Sequence, residues 1–322
     1  MSRLLVTGGT VFVSRFIAEY FRDKGHDICV LNRNTREQPE GVRLIKADRH
    51  CIGNALKGTE FDAVIDVTAY GPDDISGLLN ALGSFGKYVM ISSSAVYPET
   101  AAQPIREDAE TGPNRYWGKY GTDKIIAEQM LLQAVPDAYI LRPPYLYGPG
   151  NNVYREGFVF DCAMQKRPFY LPGDGSMKLQ FFHVRDLCKI IEAILAGRQC
   201  SHIMNVGNPE TISVREWTDL CYRCAGQIPE YRCVSTDIEQ RNYFSFYNYE
   251  YMLDVTEQAK VLPETIPMEY GLQESFTWYT EHRGEVRIKS FMEYIDRNLS
   301  EIDGTGKEFI ENDQKNRTGR DP

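Results

Sequence analysis

No apolar run in the 322 residues approaches the roughly eighteen that a membrane-spanning helix needs. There is no room for a signal peptide either, because Met1-Ser2-Arg3 runs straight into an apolar strand. Both absences predict a cytoplasmic protein without membrane contact. Blocks of one charge are also missing: acids and bases are mixed along the chain, and the formal net charge is −9. Such a surface repels phosphate backbones unless a local basic groove compensates, which disfavours nucleic acid as a partner. No internal repeat appears. A second tight cysteine pair is lacking too, although the chain has 8 cysteines, which in a cytoplasmic setting read as reduced packing residues. The spacing Cys221-x-x-Cys224 lies in a predicted helix, with Ser213 and Glu216 as its capping box and Gly226 at its exit. Val214, Trp217, Cys221 and Cys224 then share one stripe facing the core. A zinc site would need two further ligands, and Cys200, His202 and Cys233 supply no second pair, so no metal is expected.

What is present is ordinary globular material, 42% hydrophobic and 25% charged. The length suits one large domain, or a large domain carrying a smaller one. Strands are expected at Leu4–Val6, Ile28–Leu31, Leu44–Ile45, Ala63–Ile65, Tyr88–Ile91 and Tyr139–Leu141. They alternate with helices in the α/β pattern of a parallel sheet covered on both faces. The first helix carries Phe16, Ile17, Tyr20 and Phe21 on one face and stops at Lys24-Gly25. Residues 1–150 form the expected first domain. From about Gly148 the pattern turns irregular and aromatic. Residues 151–300 are therefore assigned mainly to a smaller lobe over the carboxyl ends of the strands, where such folds bind ligands. A strand and helix return to the first domain from about 180–207, and the polar stretch 303–322 reads as a flexible tail.

The first strand enters Thr7-Gly8-Gly9-Thr10-Val11-Phe12-Val13-Ser14 and then a helix. Strand, glycine turn and helix N-terminus together make a pyrophosphate site, because free amides and the helix dipole point at the anion. Gly8 matches a Gly-x-x-Gly-x-x-Gly spacing, but Val11 and Ser14 replace the second and third glycines. After the second strand stands Asn32-Arg33, where NAD enzymes keep an acidic residue for the ribose hydroxyls. A guanidinium beside a neutral amide suits a 2′-phosphate, so the expected cofactor is NAD or NADP with a tilt toward NADP.

Tyr120-Gly-Thr-Asp-Lys124 opens a later helix, and residues four apart share a helix face. An ammonium beside a phenol stabilises the phenolate, so Lys124 is expected to lower the Tyr120 pKa toward the range of a general base. Ser92-Ser93-Ser94, ending the fifth strand, supplies the hydroxyl donor that such a pair needs.

In this order the motifs resemble the extended short-chain dehydrogenases, the NAD-dependent epimerase/dehydratase family. The resemblance is carried by Thr7-Gly8-Gly9, Asp48, Ser92 to Tyr97, Tyr120 to Lys124 and Leu141 to Gly150. Gly173-Asp174-Gly175, Phe182 to Leu187 and Asn205 to Asn208 extend it, so that it covers about residues 1–280. It implies a Rossmann-type doubly wound parallel sheet with a smaller C-terminal substrate lobe. By position it makes Tyr120 the acid/base and Lys124 the ribose-binding residue that tunes it. Ser93 holds the reacting oxygen, with Ser94 the competing choice. Gly8, Thr10, Val11, Phe12 and Val13 cradle the cofactor; Asp48 meets the adenine amine; Val67-Thr68-Ala69 pass beneath it, and Pro143 joins the set. His183 belongs to a structural turn. The resemblance also admits a homodimer through the helices after the fourth and fifth strands.

Departures from the family pattern bear on the substrate. Tyr145 stands where sugar-nucleotide enzymes place a diphosphate-binding Asn, and Leu179 where they place an Arg. A doubly charged group loses its donors there. Ser94-Ala95 replaces the Asp-Glu of the 4,6-dehydratases, which argues against that elimination. These changes resemble an atypical branch that includes chloroplast stem-loop RNA-binding proteins. The expected activity is epimerisation or oxidoreduction at a hydroxyl or keto carbon of a sugar-like small molecule. RNA binding stays open as a rival, since Tyr243, Phe244, Phe246, Tyr247, Tyr249 and Tyr251 could stack bases. A cofactor-binding regulator without turnover is the third reading, and the intact Ser–Tyr–Lys set argues against it.

Overall fold

The computed structural model describes residues 1–300; the tail expected over 303–322 lies outside the described residues. The strands are β1 (Arg3–Thr7), β2 (Asp27–Asn32), β3 (Arg43–Lys46), β4 (Glu60–Asp66), β5 (Ser84–Ile91) and β6 (Tyr139–Arg142). Later come β7 (Tyr145–Tyr147), β8 (Phe169–Pro172), β9 (Lys178–Leu179), β10 (Phe181–His183), β11 (Ile203–Asn205), β12 (Ile212–Ser213) and β13 (Tyr231–Val234). The longer helices among them are α1 (Phe12–Asp23), α2 (Pro72–Ala81), α3 (Lys119–Ala134), α4 (Glu156–Met164), α5 (Val184–Leu195) and α6 (Val214–Cys224). The chain continues through α7 (Thr256–Ala259), α8 (Met268–His282) and α9 (Phe291–Asn298).

Seven strands form one sheet in the order β11-β6-β5-β4-β1-β2-β3. All six of its pairings are parallel. Parallel strands need crossover helices, and these cover both faces. On one face α1 and α5 bury Ile17, Phe21, Leu187, Ile190 and Ile194 against Val6, Val30, Ile65 and Val89. On the other, α2 and α3 bury Ile75, Leu78, Ala127 and Leu131 against Leu5, Val64, Tyr88 and Met90. Each such side chain contributes about 1.5–3 kcal/mol through apolar area removed from water. α1 ends where expected, at Lys24, with Gly25 at φ 83° in the left-handed region that favours glycine. The order reverses between β1 and β4, and a ligand crevice is expected outside the carboxyl ends at such a point.

Over 180–207 the chain runs through β10, which pairs with β7 outside the main sheet, then α5, then β11 at the sheet edge beside β6. A separate cluster holds Phe158, Phe169, Phe181, Trp217, Phe244 and Phe246. Ser213 and Glu216 cap α6 reciprocally, as expected. Cys221 is buried and Cys224 is half-buried against the same cluster. Among the described residues no group of three or more His, Cys, Asp or Glu could hold a metal, and no helix is long and apolar enough to cross a membrane.

Candidate active site

A cleft of about 760 Å³ opens at the carboxyl ends of β1, β4, β5 and β6. Its floor is the glycine turn. Gly8 and Gly9 adopt φ 90° and 85°, and a side chain has no space at either: a Cβ on Gly9 would fall 2.4 Å from Val30 and one on Gly8 2.8 Å from Ser14 Oγ. Val11 ends the turn in extended conformation, and no side chain caps the amides at the start of α1. Phe12 follows at φ 36°, an unfavourable backbone for a side chain of that bulk. The turn thus keeps its amides available to an anion, and the missing glycine shifts the strain to Phe12.

Beneath the turn lies a buried polar knot. The Thr7 hydroxyl donates to Asp66 at 2.7 Å and accepts from the amides of Val67 and Thr68 at 3.0 and 3.1 Å. Arg49 donates to both Asp66 oxygens at 2.9 and 3.0 Å and to the Thr68 hydroxyl at 2.7 Å. Burial alone would push the Asp66 carboxyl up, but the Arg49 charge, with hydrogen bonds from Arg49, Tyr88 and Thr7, brings it below the usual carboxylate range. The knot holds the loop Val67–Ala69 against the end of β1.

On the wall above, Ser93, Tyr120 and Lys124 line the cleft together. Tyr120 is 41% exposed, whereas Lys124 is buried. Lys124 Nζ donates to the Ile91 carbonyl at 2.8 Å and lies 6.0 Å from the Tyr120 ring centre. Burial lowers its pKa to about 8, against the raising effect of Asp66 and Glu128. Burial pushes the Tyr120 phenol above its ordinary value, and the Ser93 hydroxyl works in the opposite direction. One of the three N–H groups of the Lys124 ammonium goes to the Ile91 carbonyl. Ser93 Oγ accepts from the Ala95 amide at 3.2 Å, whereas Ser94 Oγ donates to the Tyr251 hydroxyl at 3.0 Å. Ser94 is therefore engaged elsewhere, and Ser93 is the hydroxyl beside Tyr120.

Gly8, Thr10, Val11, Phe12, Val13, Val67, Thr68, Pro143, Ser94 and Tyr145 also line this cleft. Asn32, Arg33, Asp48 and Ala69 do not. Asn32 donates to the Gly8 carbonyl at 2.6 Å and so braces the turn; Arg33, the next residue, is exposed. Asp48 accepts from the His50 amide at 3.0 Å, and Ala69 is buried. His183 is buried, and its Nδ1 accepts from the Arg185 amide at 3.2 Å to cap α5; burial lowers its pKa to about 3. That is a structural role, as the sequence reading has it.

Several cleft residues escaped the sequence reading: Tyr70, Tyr116, Trp117, Arg155 and Arg287. Arg155 sits two residues past Val153, which bridges to Arg287 from the far end of the chain, a juxtaposition without a local signal. Of the aromatic run proposed for base stacking, Tyr243, Phe244, Phe246 and Tyr251 are buried.

The model of the NAD dependent epimerase/dehydratase family matches residues 4–207. The chain is 24% identical over 301 residues to the chloroplast stem-loop binding protein of 41 kDa b of Arabidopsis thaliana, covering 85% of this chain and 78% of that one. It is 28% identical over 244 residues to the dTDP-4-dehydrorhamnose reductase of Mycolicibacterium smegmatis, covering 71% of each. The structure of dTDP-glucose 4,6-dehydratase from Bacillus anthracis with NAD superposes at a TM-score of 0.71 and 17% identity, over 89% of this chain and 99% of that one. UDP-glucuronic acid 4-epimerase from Bacillus cereus with NAD gives 0.68 at 17%, over 88% and 98%. At these identities the two structures speak for the fold alone.

Proposed function

We propose a function from the premise that this chain belongs to the NAD-dependent epimerase/dehydratase family: it is a nicotinamide-dependent epimerase or oxidoreductase acting on a hydroxyl or keto carbon of a sugar-like molecule. The observation that carries this reading is the convergence of Ser93, Tyr120 and Lys124 on one cleft with the glycine turn. The dinucleotide fits the residues present, because a Cβ would fill the cradle at Gly8 and Gly9 and the first amides of α1 are uncapped. On this reading residues 1–150, with the return at 180–207, bind the cofactor, and most of 151–300 shapes the substrate side. Nicotinamide, when bound, supplies the hydride acceptor or donor.

Tyr120 moves the proton of the substrate oxygen and Ser93 holds that oxygen by a hydrogen bond. With its pKa raised, the resting phenol keeps its proton at neutral pH and is set to give it to a carbonyl. Lys124 orients the ribose. Arg33, exposed directly after β2 and next to the turn-bracing Asn32, is the residue to meet a 2′-phosphate, which supports NADP. A 4,6-elimination is disfavoured, because Ser94 and Ala95 offer no carboxyl. Burial of most of the aromatic run supports the enzyme reading over RNA binding.

The test is titration with NADH and NADPH, then hydride transfer in Tyr120→Phe. The substitution is expected to cost about 10²–10⁴-fold in rate with cofactor affinity retained. If neither nucleotide binds at millimolar concentration, the reading falls.

A further inference from the structure

Arg155 and Arg287 line the same cleft, and the chemistry just described uses neither. No Asp or Glu lines it among the described residues, although the chain as a whole has 45 acids against 36 lysines and arginines. The backbone brings their two segments together: the Arg287 amide donates to the Asn152 carbonyl at 3.0 Å, and Val153, two residues before Arg155, bridges to Arg287. Among the described residues neither pairs with a carboxylate. The Arg155 guanidinium lies 4.9 Å over the Tyr145 ring and 5.9 Å from that of Phe246, and spends one hydrogen bond on the Leu146 carbonyl at 3.3 Å. Like charges crowd the same corner. Arg241 sits 4.6 Å over the Tyr247 ring, and Lys289 is lowered by burial and then by Arg241 and Arg155.

Guanidinium groups that line one cleft without a carboxylate beside them raise the local concentration of anions. Tyr145 gives the arrangement its logic. That position has lost a side-chain donor for a diphosphate, and its flat ring instead carries a guanidinium, a favourable stacking surface for arginine. We propose that the substrate's non-reacting end carries a small oxyanion, a carboxylate or a phosphate, gripped by Arg155 and Arg287 above Tyr145. The inference rests on the function proposed above and narrows its substrate to an acid or phosphate of a sugar-like compound. Arg155 lines the same cleft as Tyr120 and Ser93, which puts the oxyanion on the same small molecule as the reacting carbon. A planar guanidinium offers paired donors to such a group.

The experiment titrates the full chain, with and without NADPH, with D-glucuronate, D-glucose 6-phosphate and neutral D-glucose, followed by calorimetry. At least one anionic probe is expected to bind tenfold or more tightly than glucose. The stronger arm identifies the oxyanion as carboxylate or phosphate. Arg155→Met and Arg287→Met should each reduce that preference at least several-fold while NADPH affinity stays unchanged. Equal affinity for all three sugars in the wild type overturns the proposal, as does a preference that survives both substitutions. Arg155→Lys, which keeps the charge but loses the paired donors, covers a methionine variant that does not fold. An undiminished preference there overturns the proposal as well. Absence of NADPH binding with the anion preference intact would defeat the proposed function and spare this one; the opposite result would do the reverse.

Discussion

On the sheet side of the cleft, buried polar groups pass hydrogen bonds from one to the next. Ser92 donates to Glu128, Arg142 donates to Glu128 at 3.1 and 2.5 Å and to the Tyr97 hydroxyl at 2.8 Å, and Tyr97 donates to Asn205 at 2.8 Å. On the aromatic side, the Tyr145 hydroxyl, the Trp217 indole N–H and the Thr218 hydroxyl are buried without a partner among the described residues. There the contacts are ring on ring: Trp217 stacks on Phe181 at 5.6 Å and 13° and meets Phe246 edge-on at 5.3 Å. Directional bonds hold a geometry, while packing holds a volume. The side that carries Tyr120 and Lys124 is built for fixed positions, and the aromatic side is built for shape, which can change without disturbing the directional bonds opposite.

The largest test of this contrast removes one partner of the buried pair. Glu128 and Arg142 are both about 4% exposed, and Arg142→Met leaves the carboxylate uncompensated. Unfolding in urea should show a loss of about 3–5 kcal/mol. Adding Glu128→Gln should recover part of it, since two neutral groups of similar shape leave no unpaired charge. A loss below about 1 kcal/mol for Arg142→Met would mean that the sheet side is no more dependent on directional bonds than the aromatic side.

Lys124 tests the same side by titration. Its folded pKa, about 8 because of burial, lies below the ordinary 10.5. Between those values the unfolded chain binds more protons, so stability rises with pH across that window. Below pH 8 the buried ammonium costs about 3 kcal/mol at roughly 1.4 kcal/mol per pH unit. Lys124→Met should therefore stabilise the cofactor-free protein at pH 7 by up to that amount. The gain should fade from pH 8 to 10.5, and the variant should bind nicotinamide nucleotide poorly. A constant difference from pH 7 to 10.5 would show that the lysine is not strained by burial.

The two sides were also unequally legible in the sequence. Strand, glycine turn and helix are local patterns, so β1 to β6, α1 and the cleft positions of Gly8, Tyr120 and Lys124 follow from periodicity and spacing, whereas Ser93 stood out from Ser92 and Ser94 only through the family resemblance. The conflict between Lys124 and its surroundings does not, because helix spacing says which residues are neighbours and not where Nζ finds an acceptor. Arg49 was silent because its partners Asp66 and Asp74 lie 17 and 25 residues further on, brought together by the pairing of parallel strands. Arg155 and Arg287 are farther apart still, and their segments are joined by the bridge of Val153 to Arg287 and the bond of the Arg287 amide to Asn152. Long-range charge placement is set by topology, and a single sequence carries no local trace of it.

The smallest expected effect separates the two sides most cleanly, because it applies one chemical change to both. Tyr97 and Tyr145 are each buried. The Tyr97 hydroxyl accepts from Arg142 and donates to Asn205, so Tyr97→Phe leaves a buried guanidinium and an amide oxygen short of a partner, at a cost of about 1–3 kcal/mol. The Tyr145 hydroxyl has no partner to lose among the described residues. Burial also raises its phenol well above the ordinary range, so it stays neutral and no charge is removed. Tyr145→Phe keeps the ring on which Arg155 rests and relieves an unsatisfied oxygen. Its stability should change by no more than about 0.5 kcal/mol, with a gain as the expected sign. Paired urea melts of the two variants measure the difference directly. If Tyr145→Phe costs as much as Tyr97→Phe, the hydroxyl at 145 has a partner in solution, and the aromatic side depends on directional bonds as the sheet side does.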